Sequence, residues 1–243
     1  MTERDTAIVT GGGAGIGAAL TREMLDRGYE VVTLAREKPA FSHPRLEAIE
    51  IDLLEARATS QAATEIAARH AVSHLVHCAG VTLHRPVEQA SSDDLRDLAQ
   101  LHLGAPLLLL QACLPGMKQR AFGRVIMIAS RAALGAQGRT AYSATKSGII
   151  GMGRTWALEL ASFGITVNMV APGPIQGTAM FHEIVRAGSE REAALAAAIP
   201  VQRLGRPEDV VNAIMFFAAR QSSFVTGQTL YVCGGSSIGA LTI

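Results

Sequence analysis

The chain has 243 residues, of which 49% are hydrophobic and 18% charged, so it has the composition of a globular protein and not of a disordered or low-complexity one. A net charge of +1, with no basic run, argues against a nucleic-acid surface or an electrostatic membrane patch. The length suits one large α/β domain with a substantial core.

The start, Met-Thr-Glu-Arg-Asp, is charged and unlike a signal peptide. Thr6 to Thr10 is a short apolar run that enters Thr10-Gly-Gly-Gly-Ala-Gly-Ile-Gly17. Ile16, Leu20 and Met24 then recur at helical spacing to Arg27, and Gly28 supplies a stop. Strand, glycine turn and helix form the setting in which backbone N–H groups and a helix N-terminus lie against a pyrophosphate, which side chains would block. Gly11, Gly13, Gly15, Ile16 and Gly17 are therefore candidate cofactor residues. Glu30 to Ala35 reads as the second strand. Arg36 follows about 18 residues beyond the glycine loop, where such a fold reads the adenosine ribose. No acid stands there to accept from a ribose hydroxyl, and a planar guanidinium suits a 2′-phosphate. NADP(H) is favoured on this ground. NAD(H) stays the alternative, since Ala14 leaves the loop without a second cation.

Leu46 to Ile51 reads as the third strand, and Asp52-Leu53 at its end offers the adenine amine an acceptor. Glu55 to Arg69 is an alanine-rich helix, and His74 to Cys78 a fourth strand ending in Ala79-Gly80. His70, His74 and His77 do not read as a metal site, because the segment changes from helix to strand and no carboxylate joins them. Ser91-Ser-Asp-Asp94 has capping-box form and opens a helical region toward Arg120 that Pro106 interrupts. A proline cannot donate to the carbonyl four residues earlier, so that of His102 is left free. The longest uninterrupted apolar stretch, around Leu107 to Leu110, falls far short of the roughly 20 residues of a membrane span.

Gly123 to Ala129 is an apolar strand ending at Ser130. Past Thr140 a helix runs to about Phe163, with internal Gly148, Gly151 and Gly153 that suggest close backbone contacts. Within it Tyr142 and Lys146 stand one turn apart on one face. A neighbouring cation favours the phenolate; moving a tyrosine pKa from ~10 to near ~7 takes roughly 4 kcal/mol. Ile165 to Ala171 is another strand, followed by Pro172-Gly-Pro-Ile175. Ser189 and Glu192 cap a helix stopped by Pro200, and residues 176–206 read as a substrate loop or lid. Pro207 starts a last helix and Gln228 to Val232 a last strand. Strand and helix alternate without a linker, which predicts an α/β fold: a single Rossmann-type, doubly wound domain over residues 1–243. Cys78, Cys113 and Cys233 lack CxxC spacing, so a reducing, cytoplasmic setting is expected and no metal is.

Thr10-Gly11 with Gly15 and Gly17, Ser130 with Tyr142 and Lys146, Pro172-Gly173, and Arg203-Leu-Gly-Arg-Pro-Glu-Asp-Val210 together resemble the short-chain dehydrogenase/reductase family, its bacterial 3-oxoacyl-carrier-protein reductases in particular. The resemblance covers nearly the whole chain. It implies about seven parallel strands with helices on both faces, and assembly as a homotetramer or homodimer through the long helices. It also implies hydride transfer between a nicotinamide and a ketone or secondary alcohol. Tyr142 would be the general acid or base, Ser130 would hold the substrate oxygen, and Lys146 would bind the nicotinamide ribose. Ala79, Gly80, Pro172, Gly173, Ile175 and Thr178 would border the cofactor.

The chain departs from the family's pattern at four places. His102 occupies the position of a relay asparagine, and His77-Cys-Ala-Gly80 replaces Asn-Asn-Ala-Gly. The PGxxxT motif is one residue longer, with Gly177 before Thr178. Cys233 replaces an acid. Pro106 would compensate for the first by freeing the His102 carbonyl to hold a relay water near Lys146. Two other readings share most of these residues: NAD(H)-dependent alcohol oxidation, and a nucleotide-binding regulatory protein without turnover. Of the substrate the sequence says that His84, Arg131, Gln137, Arg139 and the segment from Gln176 to Pro200 border its pocket, and that an arginine there would suit a carboxylate or phosphate.

Overall fold

β-branched and leucine-rich runs that must be buried on both faces can pair only inside a sheet covered on both sides. In the computed structural model, which describes residues 4–183 and 185–238, such runs form the middle of one seven-stranded parallel sheet. Its strands are β1 (Thr6–Thr10), β2 (Glu30–Ala35), β3 (Leu46–Glu50), β4 (Val72–His77), β5 (Gly123–Ile128), β6 (Ile165–Pro172) and β7 (Thr229–Val232). Their spatial order is β3-β2-β1-β4-β5-β6-β7. The central strands are wholly buried, whereas the edge strands β3 and β7 are only partly covered.

The helices are α1 (Gly15–Asp26), α2 (Ala56–Arg69), α3 (Ser92–Ala99), α4 (Ala105–Gln119), α5 (Thr140–Leu160), α6 (Ala179–His182), α7 (Glu190–Ala198) and α8 (Pro207–Ala218). One core layer joins Ile66, Leu109, Met117 and Trp156 of α2, α4 and α5 to one face of the sheet. The other joins Leu20, Met24, Val210 and Ile214 of α1 and α8 to the opposite face. Chain order reverses between β1 and β4, so the crevice at their C-terminal ends is where such a sheet binds ligands. The expected residues 1–3, 184 and 239–243 of the single domain lie outside the described residues.

Element ends differ from the sequence expectation by a residue or two. β4 begins at Val72 and ends at His77, β5 ends at Ile128, and the last turn before Gly164 is a 3₁₀ turn over Ala161–Phe163. The larger correction is at Pro106. The helix does not break there: α3 passes through a π turn over Gln100–Gly104, with Ala105 N–H bonded to the Gln100 carbonyl, and Pro106 lies buried in the first turn of α4. The π turn shifts the hydrogen-bond register just before Pro106, which is how a residue without an N–H is accommodated inside a continuous helix. The resulting rod, Ser92–Gln119, is 28 residues long and apolar enough to pass for a membrane span by composition, far longer than Leu107 to Leu110 suggests. It packs against α2 and β4. The capping box predicted at Ser91 and Asp94 is present; of the box expected at Ser189 and Glu192 only the serine half forms, the Glu192 carboxylate accepting from Gly188 N–H instead.

Two of the three α5 glycines meet the expected neighbours. A side chain at Gly153 would collide with the Met169 sulfur, and one at Gly148 would press on Leu103 at 3.1 Å, but nothing lies near Gly151. Gly151→Ala is therefore expected to stabilise the protein by about 0.5–1 kcal/mol and Gly153→Ala to destabilise it by about 1–3 kcal/mol, read from urea denaturation midpoints.

Candidate active site

β1 delivers Thr10 to the sheet edge, and the turn after it is tight because its glycines have no side chains. Gly11 has φ +69°, and a Cβ on it would sit 2.9 Å from the Ala79 backbone. A Cβ on Gly17 would strike the Gly11 carbonyl, and one on Gly13 would strike the carbonyl of Glu37. Gly15, φ +52°, faces the Thr178 methyl. At the start of α1 the cap residue is Ala14, whose side chain bonds nothing, so the first-turn N–H groups around Gly15, Ile16 and Gly17 have no side-chain partner. A cradle of bare backbone donors at a helix N-terminus fits a dinucleotide pyrophosphate. Ile16 itself packs into the core.

The contact of Glu37 with Gly13 brings the turn after β2 onto the glycine loop, and Arg36 is exposed there with no ion-pair partner among the described residues. At the end of β3 the Asp52 carboxylate accepts from Leu54 N–H at 3.0 Å, which shapes the turn, and Leu53 is buried with its carbonyl on Gln100. Pro172 ends β6. Gly173 N–H bonds Val232 O at 2.9 Å, and a side chain on Gly173 would meet the Cys233 backbone. Ile175 is buried and bridges Gly205, and Thr178 caps α6 with its hydroxyl. The expected glycine-loop, ribose, adenine and nicotinamide-side residues thus line one edge of the sheet.

Ser130 follows β5 and caps the next turn, accepting from Ala132 N–H at 3.0 Å. Its hydroxyl also lies near enough to the Tyr142 phenol, one turn into α5, to favour the phenolate. Tyr142, Lys146 and His102 are all buried. The Lys146 ammonium lies 5.7 Å from the Tyr142 ring centroid and donates to the Ile128 carbonyl at 2.6 Å. Burial lowers the Lys146 pKa to about 7, with the Cys78 thiol opposing it weakly. The Tyr142 pKa is raised, chiefly by burial, against the Ser130 hydroxyl and the charge of Arg139. The expected lowering of the phenol pKa by Lys146 is thus outweighed by burial in this structure: the amine donates to a carbonyl, and its own pKa is lowered by burial.

The His102 ring packs edge-on to Tyr142, with centroids 5.7 Å apart. Its Nδ1 lies 2.8 Å from Thr145 Oγ1, and its Nε2 has no partner. Thr145, three residues after Tyr142 on the same helix face, and Arg139, whose charge reaches the phenol, complete the cluster. Sequence reasoning did not single out Thr145. The only signal was its spacing from Tyr142.

The other histidines separate. His70 pairs with Glu47 at 2.9 Å, so a carboxylate from β3 does join one of them, contrary to expectation. His74 bonds Ser73 and the Ala218 carbonyl, and His77 Nδ1 lies 2.9 Å from Thr10 Oγ1, which also accepts from Ala79 N–H. That last pair ties the end of β4 to the glycine loop. Among the described residues no cluster of histidine, cysteine and carboxylate groups could hold a metal ion.

A parallel sheet with a glycine cradle at its switch point, beside a buried serine, tyrosine and lysine, defines an NAD(P)-dependent oxidoreductase that acts on CH–OH or C=O groups. A family model described as enoyl-(acyl carrier protein) reductase matches residues 11–237. The chain is 34% identical over 244 residues to subunit BbsD of (2S)-[(R)-hydroxy(phenyl)methyl]succinyl-CoA dehydrogenase from Thauera aromatica, covering 96% of this chain and 97% of that one. It is 32% identical to the 3-oxoacyl-[acyl-carrier-protein] reductase FabG of Rickettsia bellii, covering 95% of each. A structure described as an NAD(P)-dependent gluconate 5-dehydrogenase from Beutenbergia cavernae, with bound NADP, superposes with a TM-score of 0.88 at 32% identity over 97% of both chains. The ligand-free aldohexose dehydrogenase of Thermoplasma acidophilum gives 0.90 at 27% identity, covering 99% of this chain and 97% of that one. The protein belongs to the short-chain dehydrogenase/reductase family.

Burial lowers the pKa of His74 to about 4 and of His77 to about 3. Each is neutral when folded, while the unfolded chain takes up a proton below about 6.5. Their contribution is complete above pH 6.5 and is lost as the pH falls from there toward 3. Melting temperatures of the ligand-free protein should fall over pH 6.5 to 4, and less steeply in His77→Asn, as measured by scanning fluorimetry.

Proposed function

We infer that the protein is an NADP(H)-dependent ketone reductase of the 3-oxoacyl type. The observation that carries this is the convergence of Ser130, Tyr142 and Lys146 at the sheet edge beside the glycine cradle. The preference for NADP(H) is supported by Arg36, a guanidinium without an ion-pair partner where a 2′-phosphate would lie, and by the absence of an acid at that position.

The nicotinamide, when bound, supplies or takes up the hydride. Gly11, Gly13, Gly15, Ile16 and Gly17 would seat the pyrophosphate, Arg36 and Asp52 with Leu53 the adenosine end, and Ala79, Gly80, Pro172, Gly173, Ile175 and Thr178 the nicotinamide side. Ser130 Oγ donates to the substrate oxygen and holds it within reach of Tyr142. The Tyr142 phenol gives its proton to that oxygen as the carbonyl is reduced, and the phenolate takes it back in the reverse direction. Lys146, as ammonium, stabilises the phenolate and holds the ribose hydroxyls. Residues 176–206 act as the lid. Phe181 of α6 joins Val185, Ile199 and Leu204 in a small apolar cluster separate from the main core, against which Leu195 and Ala196 of α7 pack. Such a cluster can move as a unit.

An acyl thioester substrate is supported by two relatives whose names denote acyl thioesters, the carrier-protein reductase and the succinyl-CoA dehydrogenase subunit. The second of these also supports alcohol oxidation as the alternative direction. Three free thiols support a reducing, cytoplasmic setting. Self-association as a homotetramer or homodimer is supported by Leu107 on α4 and Leu158 on α5, which expose 37% and 85% of their surface.

With acetoacetyl-CoA and NADPH, Tyr142→Phe should lower kcat by about 10²–10⁴-fold while nucleotide binding by fluorescence titration is retained. Undiminished turnover would overturn the assignment. Arg36→Ala should raise KM for NADPH by about 10–100-fold and leave KM for NADH nearly unchanged, a difference measurable in the same assay.

A further inference from the structure

Two groups beside the proposed chemistry have hydrogen-bonding capacity left open in the structure. The first is the Lys146 ammonium, which has three N–H donors but, among the described residues, only one hydrogen bond, to Ile128 O. The second is His102 Nε2, which belongs to a ring with no solvent exposure and has no partner. An orphaned polar atom in the interior is costly, so such an atom calls for an account.

Which of its two states the ring adopts follows from Thr145. That hydroxyl has one hydrogen, and its oxygen lies 2.9 Å from the Ala141 carbonyl and 3.2 Å from that of Tyr142, both acceptors only. The hydrogen is committed to the helix. The face of Oγ1 toward His102, 2.8 Å from Nδ1, therefore presents a lone pair, and Nδ1 carries the ring proton. Nε2 is left as a bare acceptor. The space in front of it is defined by Gly80: a Cβ built there would stand 3.0 Å from His102 Nε2 and 3.4 Å from Lys146 Nζ. The two groups border the same small gap, which exists because residue 80 has no side chain.

We propose that His102 is a positioning residue: its Nε2 lone pair and the Lys146 ammonium, which border the gap at Gly80 without being bonded to each other in this structure, join when the lysine turns to donate across that gap, with Thr145 fixing the required tautomer. This deepens the reading of Ser130, Tyr142 and Lys146 as the reacting group and rests on it. It gives the ammonium two buried acceptors and leaves the third N–H for the ribose and the phenolate. It also differs from the expectation drawn from Pro106, in which the backbone carbonyl of residue 102 does the work. Replacing the ring tells the two apart, because a carbonyl survives the replacement.

The charged and titratable groups facing this cluster are few. Around Lys146 are Cys78, whose thiol burial raises to about 12, together with His77 and His102, both held neutral by burial; toward Tyr142 there is Arg139. None of these offers Lys146 an anion near neutral pH. A neutral acceptor is the available means of keeping its charge, and loss of that acceptor should make the Tyr142 phenolate harder to form.

The test uses the full chain. In ¹⁵N-histidine-labelled protein, the imidazole signals absent from His102→Phe should show a protonated Nδ1 and a bare Nε2, unchanged from pH 5 to 9. In oxidation of a 3-hydroxyacyl-CoA, His102→Phe should move the acid limb of the kcat profile upward by about one unit, lowering the rate near neutrality about tenfold. His102→Gln, whose amide oxygen reaches as far as Nε2, should restore most of the loss, and Thr145→Val should reproduce part of it where Thr145→Ser does not. Proton on Nε2, or a His102→Phe profile that superimposes on the parent's, would overturn the proposal. Absence of turnover in the parent chain would instead refute the active-site reading, and the imidazole spectrum would then decide the tautomer alone.

Discussion

The site depends on a primary amine placed where water cannot reach it. Lys146 is held at the C-terminal edge of β5 by one carbonyl, that of Ile128, and its burial removes much of the preference for the charged form. A group in that state responds strongly to each neighbour, because the low local polarity that penalises its charge also strengthens whatever stabilises it. A bound nucleotide, a neighbouring acceptor or a phenolate each has leverage on it that the same group would not have on a solvated helix face. Tyr142 mirrors this: burial raises its pKa, and the Ser130 hydroxyl and the Arg139 charge only partly offset that.

The fold makes such a position available. Seven parallel strands, covered on both faces, direct their C-terminal ends to one edge, and the reversal of order between β1 and β4 opens the crevice there. The glycine loop after β1, Ala79-Gly80 after β4, Ser130 after β5 and Pro172-Gly173 after β6 meet at that edge although they are scattered over the chain. Absent side chains matter as much as present ones. Gly11 lets the loop approach Ala79, Gly17 lets α1 begin against Gly11, and Gly80 leaves the gap between Lys146 and His102.

Much of this was legible in the sequence, and the physical reason is locality. The strand over Glu30–Ala35, the cap at Ser91, the helix start at Pro207 and the glycine turn are each specified by residues within a few positions of one another. Pro106 was misread for the opposite reason. Whether a proline breaks a helix depends on the hydrogen-bond register around it, and the π turn at Gln100–Gly104 just before Pro106 is set by packing against α5. The carboxylate on His70 was missed because Glu47 lies on another strand, brought alongside by the sheet.

The sequence by itself determined the order and kind of the elements, the glycine turn, and the placing of Tyr142 and Lys146 on one helix face, because periodicity, turn chemistry and one-turn spacing are written in neighbouring residues; Ser130 joined them only through the family resemblance. Tertiary structure decided which groups distant in the chain would touch: Thr10 with His77, His102 with Thr145, and both Lys146 and His102 with the space at Gly80. Those encounters are set by strand register and helix packing to within an ångström or two, and no local pattern encodes a distance of that kind.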